Sequence, residues 1–391
     1  MVNKPKKILL TGGRSTIALE LARQFKASGH TVYVADCKKL HICRFSNSIK
    51  KSFSTPSPRY YPDEFIEKLI QIIEENDIDL LIPTCEEIMY ISGHLESFPK
   101  SCQVFCSSFD IIHELHSKWL FNQKVESIGL TVPKTQLVRN QEDLNRVDIA
   151  PPYVLKATYS RACQNLVLVE PNTNQPHIAF EPYNPWVAQK WIDGEKYCTY
   201  SVVHNGKIHA QAIYPVRFTV DGSSCITFEA IRHEKIFEWV THFMEATKFT
   251  GQVAFDFIQQ NDGSLYAIEC NPRATHGLHM YTLEDKLPQA FFGENETVIK
   301  PKLGTQRQLA IGMAAFGWRQ VNRKSDLPPF HKIFFNVKDV VFSKQDPKPF
   351  ISMSFIFPMY WLTSKKYGIS IAEAYTHDME WNGDRLTTNQ P

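Results

Sequence analysis

Residues 251–273 place the tightest limit on what this chain can fold into. Val253, Phe255 and Phe257 alternate with Ala254, Asp256 and Ile258, approximating the period of two of a β-strand. Asp262-Gly263 follows. A type I′ turn needs positive φ at both central positions, so this pair predicts a two-residue hairpin. On that turn Asn261 faces Ser264, and counting back sets Asp256 directly opposite Glu269, with Asn271 on the face of Glu269. Facing residues hold their Cβ atoms about 4.5–5.5 Å apart, and like charges so placed repel. A cation between them relieves the repulsion. Two carboxylates and an amide oxygen suit Mg²⁺ or Mn²⁺, hard ions that water and substrate phosphates complete. The plain alternative is a surface hairpin whose acids face water. Asn271-Pro272-Arg273 argues against it, because the proline ends the strand and aims a guanidinium at the same place.

Asp256 followed by Glu269-x-Asn271-x-Arg273 resembles the metal-binding end of the ATP-grasp superfamily, and within it the carbamoyl-phosphate-synthetase-like members. The resemblance covers about residues 1–300 and implies an α/β and α+β multidomain chain. A Rossmann-like preATP-grasp domain would span 1–112 and a two-lobed ATP-grasp domain 113–300, with lobes about 113–188 and 189–300. Residues 301–391 would form a small C-terminal α+β extension.

Several further stretches fit that order. Ser117 to Lys124 has helical spacing, and the resemblance makes Lys118 a nucleotide contact, where spacing alone reads a solvated lysine. Lys156 lies near the end of an apolar strand and needs a partner, for which phosphate serves. A glycine-rich loop should come next to cover the phosphates with backbone N–H groups. Tyr159 to Asn165 contains no glycine, which leaves the contacts to the side chains of Ser160 and Arg161. Gln189, Lys190, Trp191 and Ile192 resemble the hinge that offers adenine an apolar slot and strand-edge hydrogen bonds, with Glu195 on the ribose. An ordinary strand and turn is the alternative. His276 is weighed as an aid to the nucleophile against an incidental rim histidine, and Arg217 as a phosphate contact against a surface arginine.

The opening of the chain is βαβ. Lys7 to Thr11 is an apolar strand, Gly12-Gly13 a turn, 17–28 a helix, and Thr31 to Asp36 a second strand. This invites a dinucleotide reading with Asp36 on a ribose, but Gly12-Gly13 followed by Ala18 is a poor match to G-x-G-x-x-G. Glu86-Glu87 follows the strand 80–82 at its carboxyl end, where open sheets bind ligands. Residues 228–248 read as a covering helix.

Forty-three basic against 41 acidic residues give a net charge of +2, which implies no nucleic-acid partner. Nine scattered cysteines without C-x-x-C spacing fit reduced thiols in a cytoplasmic protein. The longest apolar stretch, 350–362, contains Pro358 and is too short to span a bilayer, so a buried segment is expected and no membrane partner. The expected partners are a small-molecule carboxylate and an amine, with a homodimer open. The reading is an ATP- and Mg²⁺-dependent carboxylate–amine ligase. Arg273 and Lys156 would be catalytic, and Asp256, Glu269 and Asn271 would hold the metal. Two alternatives stay open: a non-catalytic ATP sensor, and an NAD-dependent oxidoreductase using Gly12, Gly13 and Asp36.

Overall fold

The computed structural model describes residues 4–160, 166–173, 176–220, 224–321, 327–383 and 386. The strands, in chain order, are β1 (Lys7–Thr11), β2 (Thr31–Asp36), β3 (Lys51–Ser54), β4 (Leu80–Ile82), β5 (Gln103–Val104), β6 (Thr135–Val138), β7 (Tyr153–Ala157) and β8 (Leu166–Val169). They continue with β9 (Trp186–Lys190), β10 (Glu195–His204), β11 (Lys207–Pro215), β12 (Thr227–Glu229), β13 (Gly251–Gln259), β14 (Leu265–Asn271), β15 (Gln306–Gln308) and β16 (Lys338–Asp339).

The first sheet is parallel, in the order β3-β2-β1-β4-β5. Ile8, Leu9 and Leu10 have no exposed surface, as a central strand covered on both faces requires. The helix Thr16–Ala27 begins where the Ser15 hydroxyl accepts the Ile17 N–H, and it buries Leu19, Leu21, Ala22 and Phe25. The helix Pro62–Asn76 starts on a proline, whose missing N–H costs nothing at that position, and carries Asp63 and Glu64 in its first turn.

Two antiparallel four-stranded sheets follow, β6-β9-β7-β8 and β11-β10-β13-β14. The long β10–β11 hairpin turns at Asn205-Gly206, with φ of 45° and 82°, the positive pair that a type I′ turn demands. The β13–β14 hairpin turns differently. Gln260 N–H donates to Ser264 O and Gly263 N–H to Gln260 O, and of the turn residues only Gly263 has positive φ, at 82°. The loop is therefore Asn261-Asp262-Gly263, three residues with glycine in the left-handed position, and not the two-residue turn expected. The alteration shifts the pairing by one residue, to Gln259 opposite Leu265. A bulge at Ile268 shifts it back, so Asp256 still faces Glu269 and Ala254 faces Asn271.

The stretch 228–248 also differs from its reading. Thr227–Glu229 is a strand that joins β15 and β16 in a fourth, three-stranded sheet, and the helix is confined to Glu234–Thr247. That helix lays Trp239, Val240, Phe243 and Met244 against Phe255 and Phe257 of β13.

Past β16 the chain returns to the first sheet. Asp346 accepts from Arg23 Nε at 3.1 Å, from Ser46 Oγ at 2.6 Å and from Asn47 N at 2.9 Å. The segment 350–362 is part of one helix, Lys348–Tyr367. It buries Ser352, Ile356 and Tyr360, but its other face is open to solvent and is not core as expected. No described helix is long and apolar enough to cross a membrane. The final helix, Ile371–Thr376, is opened by a capping box between Ser370 and Glu373. It brings Asp378 onto Arg14, a buried guanidinium that also binds Asp36.

Candidate active site

The two antiparallel sheets meet at the bulge in β14. A bulge leaves a backbone carbonyl without its ladder partner, and here the Ile268 carbonyl accepts from Lys156 Nζ at 3.2 Å. Lys156 lies near the end of β7 and is almost wholly buried. Its ammonium also donates to Gln189 Oε1 at 2.9 Å, and the Gln189 amide in turn donates to Thr135 Oγ1 at 3.0 Å. Gln189 was expected to contact the nucleotide. Both ends of its side chain are instead spent inside the sheet, where they hold Lys156 in place.

Lys118 opens the helix Lys118–Ser127, which the Ser117 hydroxyl caps. Lys118 Nζ stands 3.7 Å from Glu269 Oε1 and donates to the Ser160 carbonyl at 3.0 Å. The Ser160 hydroxyl turns back to the Ala157 carbonyl at 3.2 Å, so it is the backbone of Ser160 that enters the cluster. Arg161 lies outside the described residues.

Asp256 and Glu269 face each other on β13 and β14. Burial, reinforced by the charge of Glu269, pushes the Asp256 carboxyl up to about 6. The Cys198 thiol, which stands opposite Asp256 on β10, pulls it back down, as do Arg273 and Lys156. Asn271 Oδ1 accepts from Arg273 NH2 at 2.9 Å, while Arg273 Nε lies 3.5 Å from Glu86 Oε1. Lys118, Lys156, Asp256, Glu269, Asn271 and Arg273 thus gather at one end of the β13–β14 ladder. Among the described residues no group of three or more His, Cys, Asp or Glu side chains has the spacing of a metal site. Two carboxylates and an amide oxygen form a partial donor set, which fits an ion that takes its remaining ligands from water and phosphates.

The hinge stretch departs from expectation in detail. Up to Lys190 β9 is an interior strand, flanked by β6 and β7, and offers no free edge. The Lys190 N–H donates to Lys134 O and the Trp191 N–H to Pro152 O, so neither is available to a purine. Ile192 is buried and Trp191 partly exposed. Glu195 accepts from the Tyr197 hydroxyl at 2.5 Å.

The dinucleotide reading does not survive the geometry of the first sheet. The Asp36 carboxylate accepts from Arg14 N at 2.8 Å, Arg14 NH2 at 2.6 Å and Lys38 N at 2.7 Å, which leaves it no ribose to hold. A Cβ added at Gly13 would come within 2.7 Å of the His41 ring, and one at Gly12 within 2.7 Å of Thr84 Oγ1. The chain's own Tyr375 closes over the turn, its hydroxyl donating to Arg14 O at 2.5 Å.

His116 belongs to the cluster, and the sequence reading passed over it. It precedes Ser117-Lys118 directly, stacks on Tyr159 at 5.8 Å, and burial pushes its imidazole down to about 4. Its proximity to Lys118 was the available signal. The two acids after β4 part company: Glu86 turns to Arg273, while Glu87 accepts from Thr11 Oγ1 and from the Thr84 and Cys85 N–H groups. His276 stacks on Phe228 at 5.4 Å, and burial pushes it to about 4 as well. Arg217 is largely exposed and pairs with Glu229 at 3.3 Å, as a surface arginine would.

Residues 115–277 match the family model of the ATP-grasp domain. This protein carries an ATP-grasp domain. The wider fold is similar to N5-carboxyaminoimidazole synthetase from Staphylococcus aureus complexed with ADP, at a TM-score of 0.60 and 15% identity over 78% of this chain and 82% of that one. It is also similar to the L-amino acid ligase from Bacillus licheniformis, at a TM-score of 0.58 and 14% identity over 76% and 78% of the two chains. The biotin carboxylase domain of the Hydrogenobacter thermophilus 2-oxoglutarate carboxylase gives a TM-score of 0.60 and 14% identity over 78% and 73%. No curated protein sequence matches the chain. At these identities the likeness is one of fold, and the mixed α/β multidomain architecture is the one expected from the ATP-grasp resemblance.

Proposed function

We propose that this ATP-grasp protein is an ADP-forming ligase that activates a carboxylate as an acyl phosphate and joins it to an amine or similar nucleophile. The observation that carries the reading is the facing pair Asp256 and Glu269, with Lys118 3.7 Å from Glu269 and Lys156 fixed beside the same strand. Asp256, Glu269 and Asn271 would hold Mg²⁺, which when bound supplies positive charge between the phosphates and the carboxylates. Lys118 and Lys156 would each place an ammonium on phosphate oxygens, Lys156 in an orientation held by Gln189. Arg273 would stabilise charge on the transferring group, and its contacts to Asn271 and Glu86 aim it there. Phosphoryl transfer of this kind asks for positioning and charge stabilisation, so no side-chain nucleophile is needed. The ADP named with one structural relative and the amino-acid ligation named with another agree with this chemistry.

The test is a screen for ADP formation over amino acids and other carboxylates, with and without amines, with mass spectrometry of the product. Glu269→Gln should lower turnover at least about 100-fold in a protein that still melts cooperatively, the loss expected on removing a charge from a transition-state clamp. Full activity in that variant would sink the assignment. The glycine-free stretch after Tyr159 favours one other reading, a nucleotide sensor, which predicts saturable Mg·ATP binding without ADP release on any carboxylate.

A further inference from the structure

We propose that the outer face of the helix Lys348–Tyr367 binds an anionic lipid bilayer, lying in the interface without crossing it. Ile351, Phe355, Pro358 and Leu362 recur at spacings of four, three and four and so form one stripe. The stripe points to solvent: Ile351 is 62% exposed, Phe355 46% and Leu362 60%, while Ser352, Ile356 and Tyr360 on the opposite face are buried. Phe357 and Trp361 widen the stripe at 44% and 47% exposure. Phe342, 48% exposed, extends it by an edge contact to Phe350 at 5.5 Å. So many adjacent large apolar groups in water mark a contact surface.

Charge selects the partner. The helix contains Lys348, Lys365 and Lys366 and no acidic residue, and exposed Lys344 stands just before it. Residues 301–366 hold eleven Lys and Arg against three Asp and no Glu, in a chain whose net charge is only +2. The two described acids of that segment point inward. Asp339 accepts the Ala310, Val341 and Phe342 N–H groups, and Asp346 binds Arg23, Ser46 and Asn47. An apolar face rich in Phe and Trp, flanked by lysines, is what an interfacial helix offers to anionic headgroups. A second copy of the same helix fits poorly, because two-fold pairing would oppose lysines with no acid in the helix to answer them.

The test uses the full chain and sedimentation with vesicles of phosphatidylcholine, alone or mixed with phosphatidylglycerol. The protein should pellet with the mixed vesicles, release in high salt, and show a blue-shifted tryptophan emission that Trp361→Phe removes. Lys365→Ala with Lys366→Ala should weaken partitioning about 30-fold, the effect of two interfacial charges. Phe355→Glu with Leu362→Glu should abolish pelleting and keep the melting temperature and Mg·ATP binding of the parent. No pelleting with phosphatidylglycerol vesicles overturns the proposal. So does a dimer in sedimentation equilibrium that Phe355→Glu with Leu362→Glu dissolves, which would assign the face to a second copy.

Discussion

Asp256 is a carboxylate kept where burial and a facing acid favour its neutral form, with a pKa raised to about 6. A folded-state value above the unfolded one means that stability is highest when the group is protonated. It falls as pH rises from the ordinary aspartate range through about 6, and above that the cost is present in full. Near neutral pH the native state therefore carries the strain, and a divalent cation held at the pair as proposed would remove it. Asp256→Asn is expected to raise the melting temperature by about 2–4 °C without metal, and to abolish Mg²⁺-dependent ADP formation. Calorimetry with and without Mg²⁺ checks both halves, and an unchanged or lower melting temperature would show that the carboxylate is not under strain.

At the level of elements, the site depends on how two connections are made. The first is Gly194, between β9 and β10. A Cβ there would lie 2.1 Å from the backbone oxygen of Gln259, at the end of β13. Backbone cannot yield as a flexible side chain can, so Gly194→Ala should cost about 3 kcal/mol or more and loosen the hinge stretch, measured by urea unfolding and by nucleotide affinity. The second connection is the β13–β14 hairpin, which shows what the sequence did and did not reveal. The pairing of Asp256 with Glu269 was legible, but through a turn that does not form. The three-residue loop displaces the register by one, and the Ile268 bulge restores it. No local pattern announces that bulge, because its freed carbonyl answers to Lys156, 112 residues earlier in the chain. The Asn205-Gly206 turn is the contrasting case, because φ preference at two adjacent residues decides it alone. Gln189 was misread for the opposite reason: its stretch was recognised, but the two bonds that occupy its amide come from neighbouring strands.

Across the whole molecule, the least legible part was the last ninety residues, because their partners lie near the other end of the chain. Arg14 NH1 binds Asp378 at 2.6 Å across 364 residues of sequence, and Lys38 joins Asp378 at 2.7 Å. The Tyr90 hydroxyl donates to the Glu380 carbonyl, and Trp381 packs on Phe109 and on Tyr159 at the edge of the site. Although burial opposes it, Arg14 and Lys38 together hold the Asp378 carboxyl down at about 2. A depressed folded-state value gives stability that is present above the ordinary aspartate range and is lost as pH falls through about 2. Acid should therefore release the tail over a window from about pH 4 to about pH 2, seen as a change in tryptophan emission and faster limited proteolysis near residue 378. Asp378→Asn should remove that step and cost about 2–4 kcal/mol, since part of the charge around a buried guanidinium is lost. The clasp also bears on how the protein is made. With translation at about 5–20 residues per second, Arg14 waits roughly 20–70 s for its second counter-ion to be synthesised. Throughout that interval the nascent first sheet exposes a glycine turn that the finished molecule keeps covered, so a turn synthesised well before the tail is sealed only once the tail has followed.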